Sequence, residues 1–299
     1  MGAKIGQRIG IDLGGTKVEG AVLDGSGAIV RRERVPTCRE RGYDHICGAV
    51  ADLVYHLRHH APQLRHLGVG APGAISAVTG AVKNSNTTCL NGRPLRDDLE
   101  ARTGLPVVLE NDANCFALAE ATLGAARGAR LAFGVILGTG VGGGLVIDGR
   151  VHAGNQRIAG EWGHHSIDPE GPPCYCGQRG CVEALISGPA VVRAYREAGG
   201  DAADMAALVA ASRAGETRAL AAMAAFLDRY GRALANLIDI LDPDVVVLGG
   251  GLSNIDELYA AGREAVARYV FNDELRTPIV RHELGDSAGV IGAALLPPR

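Results

Sequence analysis

Residues 160–183, GEWGHHSIDPEGPPCYCGQRGCVE, concentrate side chains that bind metal ions. Three of the seven cysteines of the chain and two adjacent histidines lie in this stretch. Thiolate and imidazole are the ligands that a tetrahedral Zn²⁺ prefers, so the sequence predicts a Cys3His site formed by His164, Cys174, Cys176 and Cys181. The spacing C-x-C-x4-C is not that of a standard zinc finger, and three unconnected loop thiols are the alternative. Four protein ligands leave no open position, so this zinc would be structural.

Two glycine-rich tips carry residues that suit a polyphosphate ligand. The first consists of Gly14, Gly15, Thr16 and Lys17, and a related tip contains Thr139 and Gly140. Glycine lets backbone N–H groups approach an anion, and the threonine hydroxyls add donors. Lys17 would place its charge on a phosphate, and Asp12 would hold Mg²⁺ through water. Either tip alone would suggest an ordinary hairpin turn; the pair favours a nucleotide site.

Asn111 and Asp112 stand between a strand pattern at residues 107–109 and a helical pattern at 113–123. Functional residues are common at the carboxyl end of a strand in α/β folds. Taken alone, Asp112 would be only the N-cap of the helix. The two phosphate tips change this interpretation, because a phosphotransfer enzyme needs a base for the acceptor hydroxyl.

The elements that must position these residues repeat along the chain. Residues 134–149 align without gaps on residues 10–25, with seven of sixteen positions identical and the same strand–turn–strand–turn layout. We interpret this as an internal duplication, which predicts two related α/β domains. The predicted small domain spans residues 1–115 plus 288–299, and the predicted large domain spans residues 116–287. No linker separates them, so we expect them to meet in a cleft.

Apolar residues at intervals of three and four predict the helices. The predicted ranges are 44–60, 94–101, 113–123, 203–241, 255–269 and 288–296. The long helix would bury one stripe, formed by Leu220, Met223, Leu227, Tyr230, Leu234, Leu237 and Leu241.

Composition excludes several classes of protein. The chain has 299 residues, 47% of them hydrophobic, and a formal net charge of −3, which indicates a globular protein with an ample core and gives no electrostatic reason to bind nucleic acid. Neither an apolar run of 18 residues nor a signal sequence is evident, so we expect no membrane association. An odd number of cysteines fits a reducing cytoplasm better than a disulfide framework.

Residues 68–73 and 138–143 both match the G-x-G-x-x-G pattern of dinucleotide-binding sites, but neither match predicts such a site. Strand-like or turn-rich sequence follows each of them, whereas a Rossmann site needs a helix there. The P-loop sequence G-x4-G-K-[ST] does not occur in the chain.

Four motifs together resemble those of the ROK family (repressor, open reading frame, kinase). They are LGGTK at residues 13–17, ENDAN at 110–114, GEWGH at 160–164 with CYCGQRGCVE at 174–183, and DVVVLGGG at 244–251. The resemblance covers essentially the whole chain. It implies an actin/hexokinase-like ATPase fold, with two duplicated α/β domains around a cleft. It further implies a kinase that uses ATP and Mg²⁺ to phosphorylate the C6 hydroxyl of a hexose, with structural zinc as a family trait.

The resemblance also assigns roles to matching residues, with Asp112 as the general base. The sugar would be held by Gly73, Asn86, Asn111, Asp112, Glu161, His164 and Glu183. The ATP phosphates would contact Thr16, Lys17, Thr139 and Gly140, and the nucleoside would contact Gly250 and Gly251. Asp12, Gly14 and Gly15 complete the predicted Mg-ATP site. His164 would place one ring nitrogen on zinc and the other toward the sugar. The zinc would hold in place Glu161 and Glu183, which flank it.

Within the family, two segments resemble the bacterial fructokinase (manno-fructokinase) branch: KNSNTTCLNG at residues 83–92 and Gly-Asp-Ser at 285–287. Fructose is therefore the predicted acceptor. N-acetylglucosamine kinases share the zinc stretch, and they and the family's glucokinases are the alternatives, because these enzymes differ by a few hydrogen bonds at C1 and C2 of the sugar.

A non-enzymatic sugar sensor is the remaining alternative. The family's repressors carry an N-terminal helix-turn-helix, whereas the first predicted strand here begins at about residue 8 and the net charge is negative. The resemblance also implies a homodimer, whose interface is not evident in the sequence.

Overall fold

The protein is described by a computed structural model that covers residues 6–298. Its strands are β1 (Arg8–Leu13), β2 (Lys17–Leu23), β3 (Ile29–Pro36), β4 (Leu67–Ala71), β5 (Ala74–Ile75), β6 (Val82–Lys83), β7 (Val107–Asn111), β8 (Leu131–Leu137), β9 (Val141–Ile147), β10 (Arg150–Val151), β11 (Val245–Gly249) and β12 (Ile279–Arg281). Its helices are α1 (Tyr43–Arg58), α2 (Leu95–Thr103), α3 (Asp112–Leu123), α4 (Val182–Ile186), α5 (Gly188–Glu197), α6 (Met205–Arg213), α7 (Thr217–Leu241), α8 (Ala261–Tyr269) and α9 (Ala288–Leu295). Short 3-10 helices occur at Arg39–Arg41, Thr88–Leu90, Trp162–His164, Gly251–Asn254, Asp256–Leu258 and Gly285–Ser287.

The chain divides into two compact units. Unit 1 contains the described residues up to Gly128, Gly144–Ala159 and those from Leu284 onward. Unit 2 contains Ala129–Gly143 and Gly160–Glu283. Compared with the predicted small domain, unit 1 also includes all of α3 and the segment Gly144–Ala159, because α3 packs on α9. The boundaries of independently folding domains stay a prediction.

Unit 1 is built on a sheet of order β3-β2-β1-β4-β7. The strands β1 to β3 form an antiparallel meander, and β4 and β7 join parallel to β1. Helix α1 covers one face with residues spaced three and four apart, among them Ile46, Val50, Leu53 and Leu57, all buried. This is the amphipathic pattern that the sequence predicts.

Helix α9 packs so closely on unit 1 that its neighbours must be glycine. A Cβ on Gly10 would lie 2.1 Å from the carbonyl oxygen of Val290, and one on Gly68 would lie 1.8 Å from that of Ala293. A Cβ on Gly292 would similarly lie 1.7 Å from the carbonyl oxygen of Cys115 in α3. The last helix of the chain is therefore seated directly on β1, β4 and α3.

The second five-stranded sheet has the order β10-β9-β8-β11-β12. Like the first, it places three consecutive strands beside two later ones, and β11 runs parallel to both β8 and β12. This shared order confirms the predicted duplication and the mixed α/β fold.

Two predicted helices have different bounds in the structure. The range 203–241 is two helices, since Gly215 has a φ of 86° and Glu216 caps α7 by accepting from the backbone N–H groups of Arg218 and Ala219. The range 255–269 is helical only from Ala261, after a 3-10 turn. In α7, Met223, Tyr230, Leu234 and Leu237 are buried as predicted, but Leu220 is 49% exposed and Phe226 is buried instead.

Across residues 6–298, none of the helices combines the length and the apolar character that crossing a membrane requires.

Candidate active site and metal cluster

The first phosphate tip joins β1 to β2 and is held by Thr37. The N–H of Gly14 donates to the carbonyl of Lys17 (3.0 Å), which closes the turn. The buried Thr37 donates its hydroxyl to the carbonyl of Gly14 (2.7 Å) and its N–H to that of Thr16 (3.0 Å). Thr37 was not recognised in the sequence, because a threonine after a strand has no distinctive pattern.

Asp12 and Asp112 lie near each other in unit 1. Burial, which is the largest cause, and the negative charges of Asp112 and Glu19 together raise the pKa of Asp12 to about 7, against the opposing effect of Lys17. Gly289 leaves the space for this carboxylate, because a Cβ there would lie 2.7 Å from Asp12 Oδ2. An acidic pair of this kind suits a divalent cation and a proton acceptor.

Asn111, rather than Asp112, is the N-cap of α3. Its Oδ1 accepts from the N–H groups of Ala113 (2.9 Å) and Asn114 (3.3 Å), and its Nδ2 donates to the carbonyl of Gly73 (2.9 Å). The interpretation of Asp112 as a mere N-cap is therefore wrong. Asp112 occupies the first turn of α3, where its Oδ1 accepts from the N–H of Ala113 (2.9 Å).

The side chain of Glu110 stabilises the first turn of α3 through hydrogen bonds. One of its oxygens accepts from the N–H of Asn111 (2.9 Å) and from Nδ2 of Asn114 (3.0 Å), and the other accepts from Arg157 (2.9 Å). Arg157 has a φ of 56° and belongs to the segment Gly144–Ala159. This pairing spans 47 residues and left no local signal in the sequence.

Gly73 lies directly before β5, and Asn86 lies in the segment between β6 and α2. Gly73 has a φ of 89°, and a Cβ on it would lie 2.5 Å from the carbonyl oxygen of Lys83, so only glycine fits. Asn86 is exposed. Two hydrogen bonds between Ser85 and Asn91 close this loop. The N–H of Ser85 donates to Asn91 Oδ1 (2.8 Å), and Asn91 Nδ2 donates to the carbonyl of Ser85 (3.0 Å).

Lys17 is oriented by a buried carboxylate. Its Nζ lies 3.5 Å from Glu19 Oε2, while the Glu19 side chain is 1% exposed. Arg34 also donates to Glu19, and Ser287 donates its hydroxyl to the other oxygen (3.0 Å). Glu19 therefore forms ion pairs with two basic side chains, Lys17 and Arg34, next to the tip.

In unit 2 the second tip is held by Glu183. Glu183 Oε2 accepts from the N–H of Val141 (2.8 Å), and a Cβ on Gly140 would lie 2.7 Å from the same oxygen. The carbonyl of Gly138 accepts from the N–H of Gly188 (2.9 Å), and Thr139 stays exposed. Glu183, predicted only to hold the sugar, thus also shapes the phosphate tip.

The four predicted metal ligands come together in unit 2. The donor atoms of His164, Cys174, Cys176 and Cys181 all lie within 4.8 Å of one another, with Cys174 Sγ 3.6 Å from His164 Nδ1 and Cys176 Sγ 3.6 Å from Cys181 Sγ. Cys181 is fully buried, and burial raises the pKa of its thiol to about 12. A cation at the centre would stabilise the thiolate there, so the donor set fits Zn²⁺.

His164 uses its second ring nitrogen for Tyr175. The Nε2 atom lies 3.0 Å from the hydroxyl of Tyr175, and the two rings meet edge-on at 5.0 Å. Tyr175 is 74% exposed. The nitrogen that was predicted to face the sugar therefore has a phenol as its partner in the structure described here.

Trp162 anchors the segment that carries Glu161 and His164. Its Nε1 donates to the carbonyl of Gly142 (2.8 Å), and its ring packs edge-on against Phe133 (6.3 Å). The N–H of His164 donates to the carbonyl of Glu161 (3.2 Å) in the same 3-10 turn.

Gly250 and Gly251 follow strand β11. Gly250 has a φ of 77°, and a Cβ on it would lie 2.3 Å from the carbonyl oxygen of Leu137. A Cβ on Gly251 would meet none of the described atoms within 4 Å. The first glycine is therefore required by packing, and only the second offers open backbone for a flat ring.

The structure thus distributes the predicted residues over its two units. Unit 1 contains Asp12, Gly14, Gly15, Thr16, Lys17, Gly73, Asn86, Asn111 and Asp112. Unit 2 contains Thr139, Gly140, Glu161, His164, Cys174, Cys176, Cys181, Glu183, Gly250 and Gly251.

Comparison with known proteins establishes the family. A family model described as "ROK family" matches residues 8–299. This chain belongs to the ROK family. It is 38% identical over 297 residues to the N-acetyl-D-glucosamine kinase of Pectobacterium atrosepticum, covering 96% of this chain and 97% of that one. It is 36% identical over 295 residues to the N-acetylgalactosamine kinase AgaK of Shewanella sp. (strain ANA-3), covering 96% and 95%.

A solved structure supports the same fold. The crystal structure of the ROK hexokinase from Thermus thermophilus matches with a TM-score of 0.87 and 37% identity, covering 97% of each chain. The actin/hexokinase-like fold predicted for this ROK protein is therefore confirmed.

Proposed function

We propose that this ROK protein is an ATP-dependent sugar kinase that phosphorylates N-acetyl-D-glucosamine. The observation that carries the kinase activity is the acidic pair Asp12 and Asp112 in the unit that also holds the Gly14–Lys17 tip. The tip supplies backbone N–H groups and the charge of Lys17 for the ATP phosphates. The pair supplies one carboxylate for Mg²⁺ and one for the proton of the acceptor.

The proposed reaction is an in-line transfer. The C6 hydroxyl oxygen of the sugar bonds to the γ-phosphorus of ATP, and the bond from that phosphorus to the β,γ-bridging oxygen breaks, which releases ADP. Asp112 accepts the hydroxyl proton. Asp12 would hold Mg²⁺, which neutralises phosphate charge when it is bound.

The side chains assigned to the sugar hydroxyls are held in position by hydrogen bonds within the fold. Asn111 is held by the carbonyl of Gly73 and by its own capping bonds, which leave one Nδ2 hydrogen for a ligand. Glu161 and His164 are carried by the turn that Trp162 anchors. Zn²⁺ bound to His164, Cys174, Cys176 and Cys181 would keep this irregular segment in one conformation.

An amino sugar is preferred to fructose as the acceptor because of the relatives. Curated relatives with 36–38% identity over nearly the full chain are kinases of N-acetyl-D-glucosamine and N-acetylgalactosamine. The predicted fructose specificity rests on segments 83–92 and 285–287 alone. Fructose remains the second candidate, since the loop 83–92 contains Asn86 and is closed by the Ser85–Asn91 pair.

A sugar panel tests both levels of the proposal. Purified protein with Mg-ATP is assayed for ADP release with N-acetyl-D-glucosamine, N-acetylgalactosamine, glucose, mannose and fructose. The highest kcat/KM is expected for N-acetyl-D-glucosamine. Preference for fructose would overturn the acceptor and keep the kinase. Folded, zinc-loaded protein that is inactive with all five sugars would overturn the kinase and favour a sugar sensor.

A further inference from the structure

Thr87 has a buried hydroxyl without a hydrogen-bond partner. The residue is 2% exposed, and its Oγ1 forms no hydrogen bond with any of the residues 6–298. Its backbone is fully paired, because its N–H donates to Ser85 Oγ (3.1 Å) and its carbonyl accepts from the N–H of Leu90 (2.9 Å). Burying an unpaired hydroxyl lowers folding stability, so its presence in a well-packed loop calls for a reason.

The hydroxyl lies beside the first phosphate tip. A Cβ placed on Gly15 would lie 3.8 Å from Thr87 Oγ1 and 4.0 Å from Nη1 of Arg39. Gly15 is the middle residue of the tip, and Arg39 begins the 3-10 helix that follows Thr37. A hydroxyl donor and a guanidinium therefore flank the backbone that is proposed to receive ATP phosphates, and both groups recognise phosphate oxygens.

We propose that Thr87 is a nucleotide-binding residue whose hydroxyl donates to an oxygen of the terminal phosphate, with Arg39 as the neighbouring positive charge. This inference rests on the proposed kinase function. The contact requires a small shift of the tip at Gly15, where no side chain stands between the backbone and Thr87. The loop 83–92, which contains the predicted sugar-binding residue Asn86, would then also contact the bound ATP through Thr87.

Replacing the Thr87 hydroxyl by a methyl group is expected to raise the melting temperature and to weaken nucleotide binding. Thr87→Val keeps the shape of the side chain and removes an unpaired polar group, so the melting temperature of the ligand-free protein is expected to rise by about 2 °C. Binding of Mg²⁺ with a non-hydrolysable ATP analogue, measured by calorimetry, is expected to weaken about tenfold or more, as for a lost hydrogen bond to a charged group. A residue of purely structural importance would not give this combination.

Two variants serve as controls, and a third repeats the test. Thr87→Ser keeps the hydroxyl and is expected to retain at least half of the wild-type affinity for the analogue. Thr88→Val removes the hydroxyl of the exposed neighbour and is expected to change neither affinity nor melting temperature. Thr87→Ala is the second hydroxyl-free variant, used if Thr87→Val does not fold, and it is expected to weaken binding as strongly.

The outcomes separate this inference from the kinase proposal. Calorimetry with the analogue needs no sugar, so an error in the acceptor leaves the test intact. Wild-type protein that does not bind the analogue would overturn the nucleotide site itself and Thr87 with it. Normal affinity in a folded, hydroxyl-free variant would overturn only the role of Thr87. A lower melting temperature in Thr87→Val would show that the hydroxyl has a partner in the fold.

Discussion

At the scale of single residues, the candidate site depends on carboxylates that the fold places close together. Asp12, Asp112 and Glu19 all contribute negative charge in unit 1, and the elevated pKa of Asp12 follows from its burial and from these neighbours. Such an arrangement opposes stability and is typical of sites that bind a cation or move a proton. The first two predictions test it.

Asp112→Asn should abolish turnover and preserve sugar binding. A general base contributes about 10²–10⁴-fold to rate, so kcat should fall by at least that factor, whereas an amide keeps the shape of the side chain. Binding can be followed by fluorescence, because Trp162 is the only tryptophan and is adjacent to Glu161. Asp97→Asn in α2, an exposed aspartate, is the control that should change neither quantity. Turnover within tenfold of wild type in Asp112→Asn would exclude the role.

Asp12→Asn should stabilise the protein in a pH-dependent manner. The folded-state pKa of about 7 lies above the ordinary value of 3.8, which means that folding favours the protonated carboxyl. Its contribution to the free energy of unfolding is complete below pH 3.8 and is lost as pH rises through about 7. Asparagine does not ionise, so the variant does not lose stability over this pH range. Denaturant unfolding without Mg²⁺ should therefore show a gain of roughly 2–4 kcal/mol at pH 8.5. The gain should be clearly smaller at pH 5.5; an equal gain at both values would contradict the assignment.

At the scale of elements, the segment 160–183 has little regular structure to stabilise it. Apart from one 3-10 turn, it is held by the isolated bridges Ser166–Cys181 and Pro173–Arg179, by the Trp162 anchor and by the four metal ligands. Three of the side chains assigned to the sugar, Glu161, His164 and Glu183, lie within this segment or at its end. Zinc at this cluster would therefore act on catalysis through the position of Glu161, His164 and Glu183.

Loss of the metal should accordingly affect stability and sugar binding together. Cys176→Ser, at the exposed member of the cluster, should reduce the zinc content from one equivalent to near zero by mass spectrometry. We expect a melting temperature lower by about 5 °C or more and a higher KM for the sugar. Cys89→Ser, which removes a thiol outside the cluster, is the matched control. Folded, fully active Cys176→Ser protein without zinc would refute the structural role.

At the scale of the whole molecule, the duplication was predictable because the two glycine-rich hairpins repeat a local pattern. The Gly-Gly-Thr-Lys tip, the capped turn before α3 and the clustered cysteines are short, so spacing alone conveys them. Glu110–Arg157, Thr37 and the Glu19–Ser287 contact join residues far apart in sequence, which no local pattern can show. The stripe on α7 was misplaced at Leu220 for a similar reason: packing, rather than apolar spacing, decides which neighbour of Met223 is covered.

The close seating of α9 gives a prediction for the molecule as a whole. Gly292→Ala places a methyl group 1.7 Å from a backbone oxygen of α3, so the free energy of unfolding should fall by about 3 kcal/mol or more. Gly48→Ala is the matched control, since Gly48 lies inside α1 with open space around it and alanine favours a helix by about 1 kcal/mol. Denaturant unfolding of both variants should give shifts of opposite sign. A neutral Gly292→Ala would disprove this packing.

The position of α9 also has a consequence for biosynthesis. Strands β1 and β4 leave the ribosome early, whereas the helix that covers them is made 217 residues after Ala71. At about 5–20 residues per second, the nascent chain carries that uncovered apolar surface for roughly 10–40 s. Unit 2 is complete before α9 emerges, so the first unit to begin synthesis is the last to be finished. A chain that ends before residue 288 should therefore leave the apolar surface of β1 and β4 uncovered even when unit 2 is complete.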